Sequence, residues 1–226
     1  MQRHFDVQLD KLKESIIKMG EFVEQMISLS VKGFLESDKE LIKEVSNYEI
    51  EVNDLQIEID ERSLRLLALM QPVATDLRFI VMVSKICSEL ERIGDLTINI
   101  CQNTQYLKQK KQDQILSDLK KMSEISRQML KNSINSFINK DEEIAKKVLE
   151  SDTELDILKN NIFKQVKTKI SDDISNIDEY LSLLLIAKNL ERIGDKTTNI
   201  AEEVIYLASG KDVRHHHEEK ERTEKI

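Results

Sequence analysis

The hexapeptide Leu90-Glu91-Arg92-Ile93-Gly94-Asp95 recurs letter for letter as Leu190-Glu191-Arg192-Ile193-Gly194-Asp195, 100 residues later. The match extends to Thr97/Thr197, Asn99/Asn199 and Ile100/Ile200. Self-similarity at a fixed offset marks a duplicated structural unit, so a fold for this chain has to place one unit twice. A second stretch repeats as well: Val45 aligns with Val148, Leu55 with Leu158 and Ile59 with Ile162, at an offset of 103. The three-residue difference falls in the hairpin that carries Pro72, the single proline of the chain.

Each unit reads as three helices. Phe5, Leu9, Leu12, Ile16, Met19, Val23 and Met26 alternate by four and three, the seam of a bundle helix over 4–35. Ser37-Asp38-Lys39-Glu40 reads as a capping box that opens a second helix. That helix stops near Gln71-Pro72, because proline cannot continue it. A third begins at Thr75 or Asp76, with its seam at Phe79, Val83, Ile86, Leu90, Ile93, Thr97 and Ile100, and runs to about Leu107. The polar stretch 108–113 separates the units, and the pattern restarts. One helix ends near Asn139, one follows Asp141, and one follows Ser171-Asp172-Asp173 and closes at Ser209-Gly210. The expected fold is all-α, two tandem homologous three-helix bundles, with units at 4–108 and 111–210 and a charged tail, 211–226, expected to be disordered. The tail holds His215, His216 and His217, which could take up metal adventitiously.

Composition narrows the function. Charged residues make up 34% and aromatics 4%, which suits long helices rather than sheet. A formal net charge of −8 argues against a partner that is a phosphate backbone, so no nucleic-acid role is expected. No apolar run reaches 18 residues, and the opening Met1-Gln2-Arg3-His4-Phe5-Asp6 leads directly into charged amphipathic sequence. A soluble, cytoplasmic protein is expected, touching a membrane only through protein partners. Cys87 and Cys101 align with Ala187 and Ala201 and read as small buried residues.

The repeated hexapeptide is costly as helix. Glu91 and Asp95 are four apart, so they share one face and repel by about 0.2–0.5 kcal/mol. Gly94 between them costs a helix interior about 1 kcal/mol relative to Ala. Two of the five glycines stand at this position. One explanation is a cation between the carboxylates. The other is that Asp95 pairs with Arg92 on a solvated face while Gly94 admits a neighbouring helix. Antiparallel hairpin geometry supplies further ligands. A turn at 72–73 places Glu49, Asn53 and Asp54 level with Glu91 and Asp95. A turn at 172–173 places Glu150 to Glu154 level with Glu191 and Asp195, with Asp152 and Asp156 close by. The repeat pairs Glu49 with Asp152 and Asn53 with Asp156, and Asn99 and Asn199 extend the stripe. The set is all hard oxygen donors, suited to a site of one or more metal ions.

These motifs, with Gln71-Pro72-Val73-Ala74-Thr75-Asp76-Leu77-Arg78 before the third helix, resemble the PhoU family over about residues 4–210. The resemblance implies a regulator that represses the phosphate-starvation response. It would act between a phosphate ABC transporter, through the ATPase subunit, and a membrane sensor histidine kinase. It implies multinuclear clusters of iron or zinc, with magnesium or manganese as alternatives. The ligands carried over are Glu91, Asp95, Glu191, Asp195, Glu49, Asp152 and Asp156, and a homodimer is expected. Asn53 stands where an Asp would complete the first unit's second motif, so the second cluster is expected to be the stronger. Two other classes compete. A carboxylate-bridged storage or redox bundle needs Glu-x-x-His motifs, and no histidine falls in the bundles apart from His4 at the start. A metal-free scaffold explains the seams but leaves the doubled glycine without a role. No nucleophile–base pair and no Gly-rich phosphate loop is present, so no enzyme is expected.

Overall fold

A computed structural model of the chain describes residues 4–104 and 114–209. The described residues form six α-helices: α1 (His4–Glu36), α2 (Lys39–Met70), α3 (Ala74–Asn103), α4 (Gln114–Asn139), α5 (Glu142–Asp172) and α6 (Ile177–Ser209). The connector 108–113, the tail and the Gly210 cap lie outside them. None of the six is long and apolar enough to cross a membrane.

The turns repeat as the helices do. Ser37 and Lys140 both adopt left-handed φ, 54° in each, and end α1 and α4. Asp38 and Asp141 follow them. Asp38 Oδ1 accepts from the backbone N–H of Glu40 and Leu41 at 2.9 and 3.3 Å, and Asp141 Oδ1 from Glu143 and Ile144 at 2.9 and 3.1 Å. Each carboxylate satisfies two of the orphan donors of the helix it opens. The N-cap of α2 is therefore Asp38, one residue later than a capping box from Ser37 requires. The α2–α3 turn is sharper. Gln71 and Ala74 both have positive φ, 46° and 49°, either side of Pro72 and Val73. Left-handed backbone at a residue with a Cβ costs roughly 1–2 kcal/mol.

The seams point inward as the spacing predicts. Leu12, Ile16, Met19, Val23 and Met26 of α1 are fully buried, as are Val83, Ile86, Leu90, Ile93, Thr97 and Ile100 of α3. Within each unit all three helices touch one another, and the units meet through α3 on α6 and α1 on α4. Both contacts are antiparallel. Lys13 Nζ donates to Ile138 O at 2.8 Å and Gly20 packs on Ile134. Lys85 pairs with Glu203 at 2.9 Å, and Lys196 lies 3.4 Å from Glu89. Four helices thus build the central layer, leaving α2 and α5 on the outside. Facing neighbours on more than one side broadens the buried face of α3, which takes in Ile80, Met82, Cys87, Leu96 and Cys101 beyond its seam. In α4 the core includes Ser126, Ser133 and Ser136. Ser126 Oγ donates to Met122 O at 2.8 Å and lies 3.2 Å from Leu190 O of α6, so a small hydroxyl residue sits where these helices approach.

Candidate metal centre

The acidic motif of the second unit lies on α6 where it faces α5. The two helices approach closely at Gly194. A Cβ there would stand 2.5 Å from Leu155 Cδ1 and 3.0 Å from Asp152 Oδ1. Close helix approach, the plainer reading of the glycine, therefore holds in this unit. It does not hold in the first, where a Cβ on Gly94 meets nothing nearer than Met26 Cε at 3.6 Å and Val52 Cγ1 at 3.7 Å, ordinary contact distances.

The approach at Gly194 brings Asp152, Asp156, Glu191 and Asp195 into one patch. Burial, reinforced by the charges of Asp195, Asp156 and Glu191, raises the Asp152 carboxyl to about 6. Burial also raises Asp195, with Glu191 and Asp156 adding to it. Asp152 Oδ1 is buried with no hydrogen-bond partner. The register differs from the expected one by about four residues. Glu191 is level with Asp156 and Lys159, since Lys159 Nζ donates to Asp156 Oδ1 at 2.7 Å and to Glu191 Oε1 at 2.8 Å. The reason is the turn. A 3-10 segment, Ile174–Asn176, follows α5 and moves the hairpin centre beyond 172–173.

The first unit is looser. Burial raises Glu91, with Asp95 the next cause and Arg92 opposing. Arg92 pairs with Glu89 at 3.3 Å and not with Asp95, so the solvated-pair explanation of that acid fails. Glu49 sits near enough to Cys101 for its charge to act on that thiol, Asp60 and Glu91 act likewise on Cys87, and Asn53 is exposed. Burial pushes both thiols to about 12. Asn99 O accepts from Asn103 Nδ2 at 2.7 Å, while Asn199 lines a groove between α3 and α6 with Lys85, Glu89, Arg92 and Glu203.

Among the described residues no three His, Cys, Asp or Glu side chains converge tightly enough to hold an ion as they stand. The second unit nevertheless has the chemistry of a cation site. Its donors are carboxylate oxygens, one is buried and unpartnered, and a cation, the Lys159 ammonium, already lies between two of them. Lys159 was not legible as part of this set. Its spacing of three from Asp156 was the available signal.

Fold and site define a duplicated three-helix bundle with an acidic motif on the inner helix of each half. The PhoU domain family model matches residues 16–104 and again 119–204. The chain is 32% identical over 211 residues to the phosphate-specific transport system accessory protein PhoU of Escherichia coli K12, covering 93% of this chain and 88% of that protein. It is 35% identical over 210 residues to the PhoU homolog of Aquifex aeolicus, covering 93% and 95%. The crystal structure of PhoU from Pseudomonas aeruginosa superposes with a TM-score of 0.88 at 28% identity, over 92% of this chain and all of that one. That of the phosphate transport system regulatory protein PhoU from Streptococcus pneumoniae gives 0.85 at 28% identity, over 93% and 99%. The chain belongs to the PhoU family.

Proposed function

We propose that the protein is a non-enzymatic, metal-binding negative regulator of phosphate uptake and of phosphate-starvation signalling. Its relatives carry the names of accessory and regulatory proteins of phosphate transport systems. The observation that carries the metal part is the α5–α6 patch, where the carboxylates of Asp156, Glu191 and Asp195 gather round a buried, unpartnered Asp152 oxygen. Asp152, Asp156, Glu191 and Asp195 would hold the metal, iron or zinc first and magnesium or manganese as alternatives. Glu49, Glu91 and Asp95, with Asn53, would form the weaker first-unit site. Bound there, a multivalent cation neutralises the acidic face and ties α5 to α6. The residues themselves do the rest: Gly194 admits Asp152 to the α6 surface, and Leu155 closes the patch from the core side.

The regulator works in the cytoplasm through protein contacts, with the transporter ATPase and the sensor kinase as partners and a homodimer as the working form. An unpartnered apolar row supports a role in contacts. Ile50, Ile57 and Leu64, seven apart on α2, are 61, 60 and 67% exposed. Their repeat counterparts on α5 are Thr153, Asn160 and Lys167, so the row belongs to one half alone. The test is a Glu191→Ala/Asp195→Ala variant, assayed for metal content and for a phosphate-starvation reporter in phosphate-replete cells. Loss of metal together with derepression is expected. Full repression at normal protein level sinks the regulatory reading, and unchanged metal content sinks the site.

A further inference from the structure

Lys159 has no counterpart in the other half. At the offset that aligns α2 with α5 it falls on Gln56, as Asp156 falls on Asn53 and Asp152 on Glu49. The second unit thus has one more carboxylate and one more ammonium, and both sets carry a formal charge of −3. The ammonium is not idle at the rim. It lies 2.7 Å from an Asp156 oxygen on its own helix and 2.8 Å from a Glu191 oxygen on α6, with the side chain only 26% exposed. Charge-assisted bonds to carboxylates on two helices are what an inter-helix cation would make there. Among the described residues, Glu49, Glu91 and Asp95 form no ion pair at all.

We propose that Lys159 is an internal counter-ion that occupies the second acidic site in the cation-free protein, so that a divalent cation enters only by displacing it. This rests on the metal-binding reading above. A divalent ion and an ammonium cannot share two carboxylate oxygens without repelling each other. The flexible four-carbon stem lets the ammonium swing to solvent, where it is well hydrated. Lys159 therefore offsets the advantage that the extra carboxylate gives this site over the first. It also keeps α5 tied to α6 when no metal is bound.

The test uses the full chain stripped with chelator and titrated with Mn2+ alone, in a Glu91→Gln/Asp95→Asn background that removes the first site. Lys159→Gln, which copies the first unit's Gln56, is expected to bind Mn2+ about tenfold or more tightly than its parent. That is the change when competition from one charge-assisted hydrogen bond is removed. Thermal melts supply the second readout. Lys159→Gln lowers the melting temperature in chelator and recovers more on Mn2+ addition than its parent does. A merely structural lysine would lower both melts equally. Equal Mn2+ affinity with and without Lys159 overturns the counter-ion and leaves the metal site standing. No Mn2+ uptake by any form, wild type included, overturns both.

Discussion

The two glycines of the repeated motif have the same letters around them and opposite surroundings, so alanine should act on them with opposite sign. At Gly94 a methyl meets Met26 and Val52 at 3.6 and 3.7 Å, which is contact without overlap. The substitution then gains helix propensity, about 1 kcal/mol. At Gly194 the same methyl stands 2.5 Å from Leu155 Cδ1 and 3.0 Å from Asp152 Oδ1. Leu155 is fully buried, so its terminal methyl has to move by about 1 Å inside a packed core. Overpacking of this kind costs about 1–3 kcal/mol. Set against the same propensity gain, Gly194→Ala is expected to lose about 1 kcal/mol while Gly94→Ala gains about 1. For a chain of this size each kcal/mol moves the melting temperature by about 2–4 °C. The two variants should therefore melt about 4–8 °C apart, either side of wild type, in chelator-treated protein followed by circular dichroism. Equal shifts, or a more stable Gly194→Ala, would refute the claim that close helix approach is what holds glycine in the second unit.

Three other outcomes follow from the geometry. Asp152 titrates at about 6 in the native state against an ordinary 3.8. Its contribution is thus fully stabilising below 3.8 and lost as pH rises through about 6. After discounting for partial exposure, Asp152→Asn should stabilise the metal-free protein by about 1 kcal/mol at pH 7.5 and by almost nothing at pH 4. Urea melts at the two pH values check this, and the same effect at both would contradict it. Cys87 and Cys101, both buried and raised to about 12, should give no fast reaction with a thiol reagent at pH 8 and react fully in denaturant. Asp38→Ala and Asp141→Ala should each cost about 1 kcal/mol, and their costs should add, because the caps lie at opposite ends of the antiparallel α1–α4 pair. A non-additive double variant would show the turns to be coupled.

The parts of the fold that were legible are those where one residue type has one physical use. Apolar spacing placed α1 because Leu12 to Met26 face a single core. Pro72 ended α2 because it has no amide hydrogen to give. Register across the second hairpin was not legible, since the 3-10 turn at Ile174–Asn176 depends on Asp173 accepting from Ser175 N at 2.9 Å, and Ser-Asp-Asp reads equally as a simple cap. The buried serines of α4 escaped because a hydroxyl bonded to its own helix, as Ser133 is to Leu130 O at 2.8 Å, loses its polar signature. Of the acidic set, Glu191 and Asp195 stood out through repetition. Lys159 did not, because its use comes from α6, 32 residues away in the chain.

The ion pairs between α3 and α6 have no mirror images. Lys85 meets Glu203, but the equivalent positions on the opposite side are Leu185 and Asn103. Glu89 meets Lys196, where the equivalents are Asn189 and Leu96. A pairing of two first halves would set Lys85 against Asn103 and Glu89 against Leu96, and two second halves would strand Lys196 beside Asn189. Each half thus makes ion pairs to the other that it could not make to its own kind. Descended from one ancestor, the halves have become lock and key. A second copy of either half in its sister's place would forgo both ion pairs, each worth about 0–1 kcal/mol at this exposure, and separate copies of the two expressed together have reason to find each other.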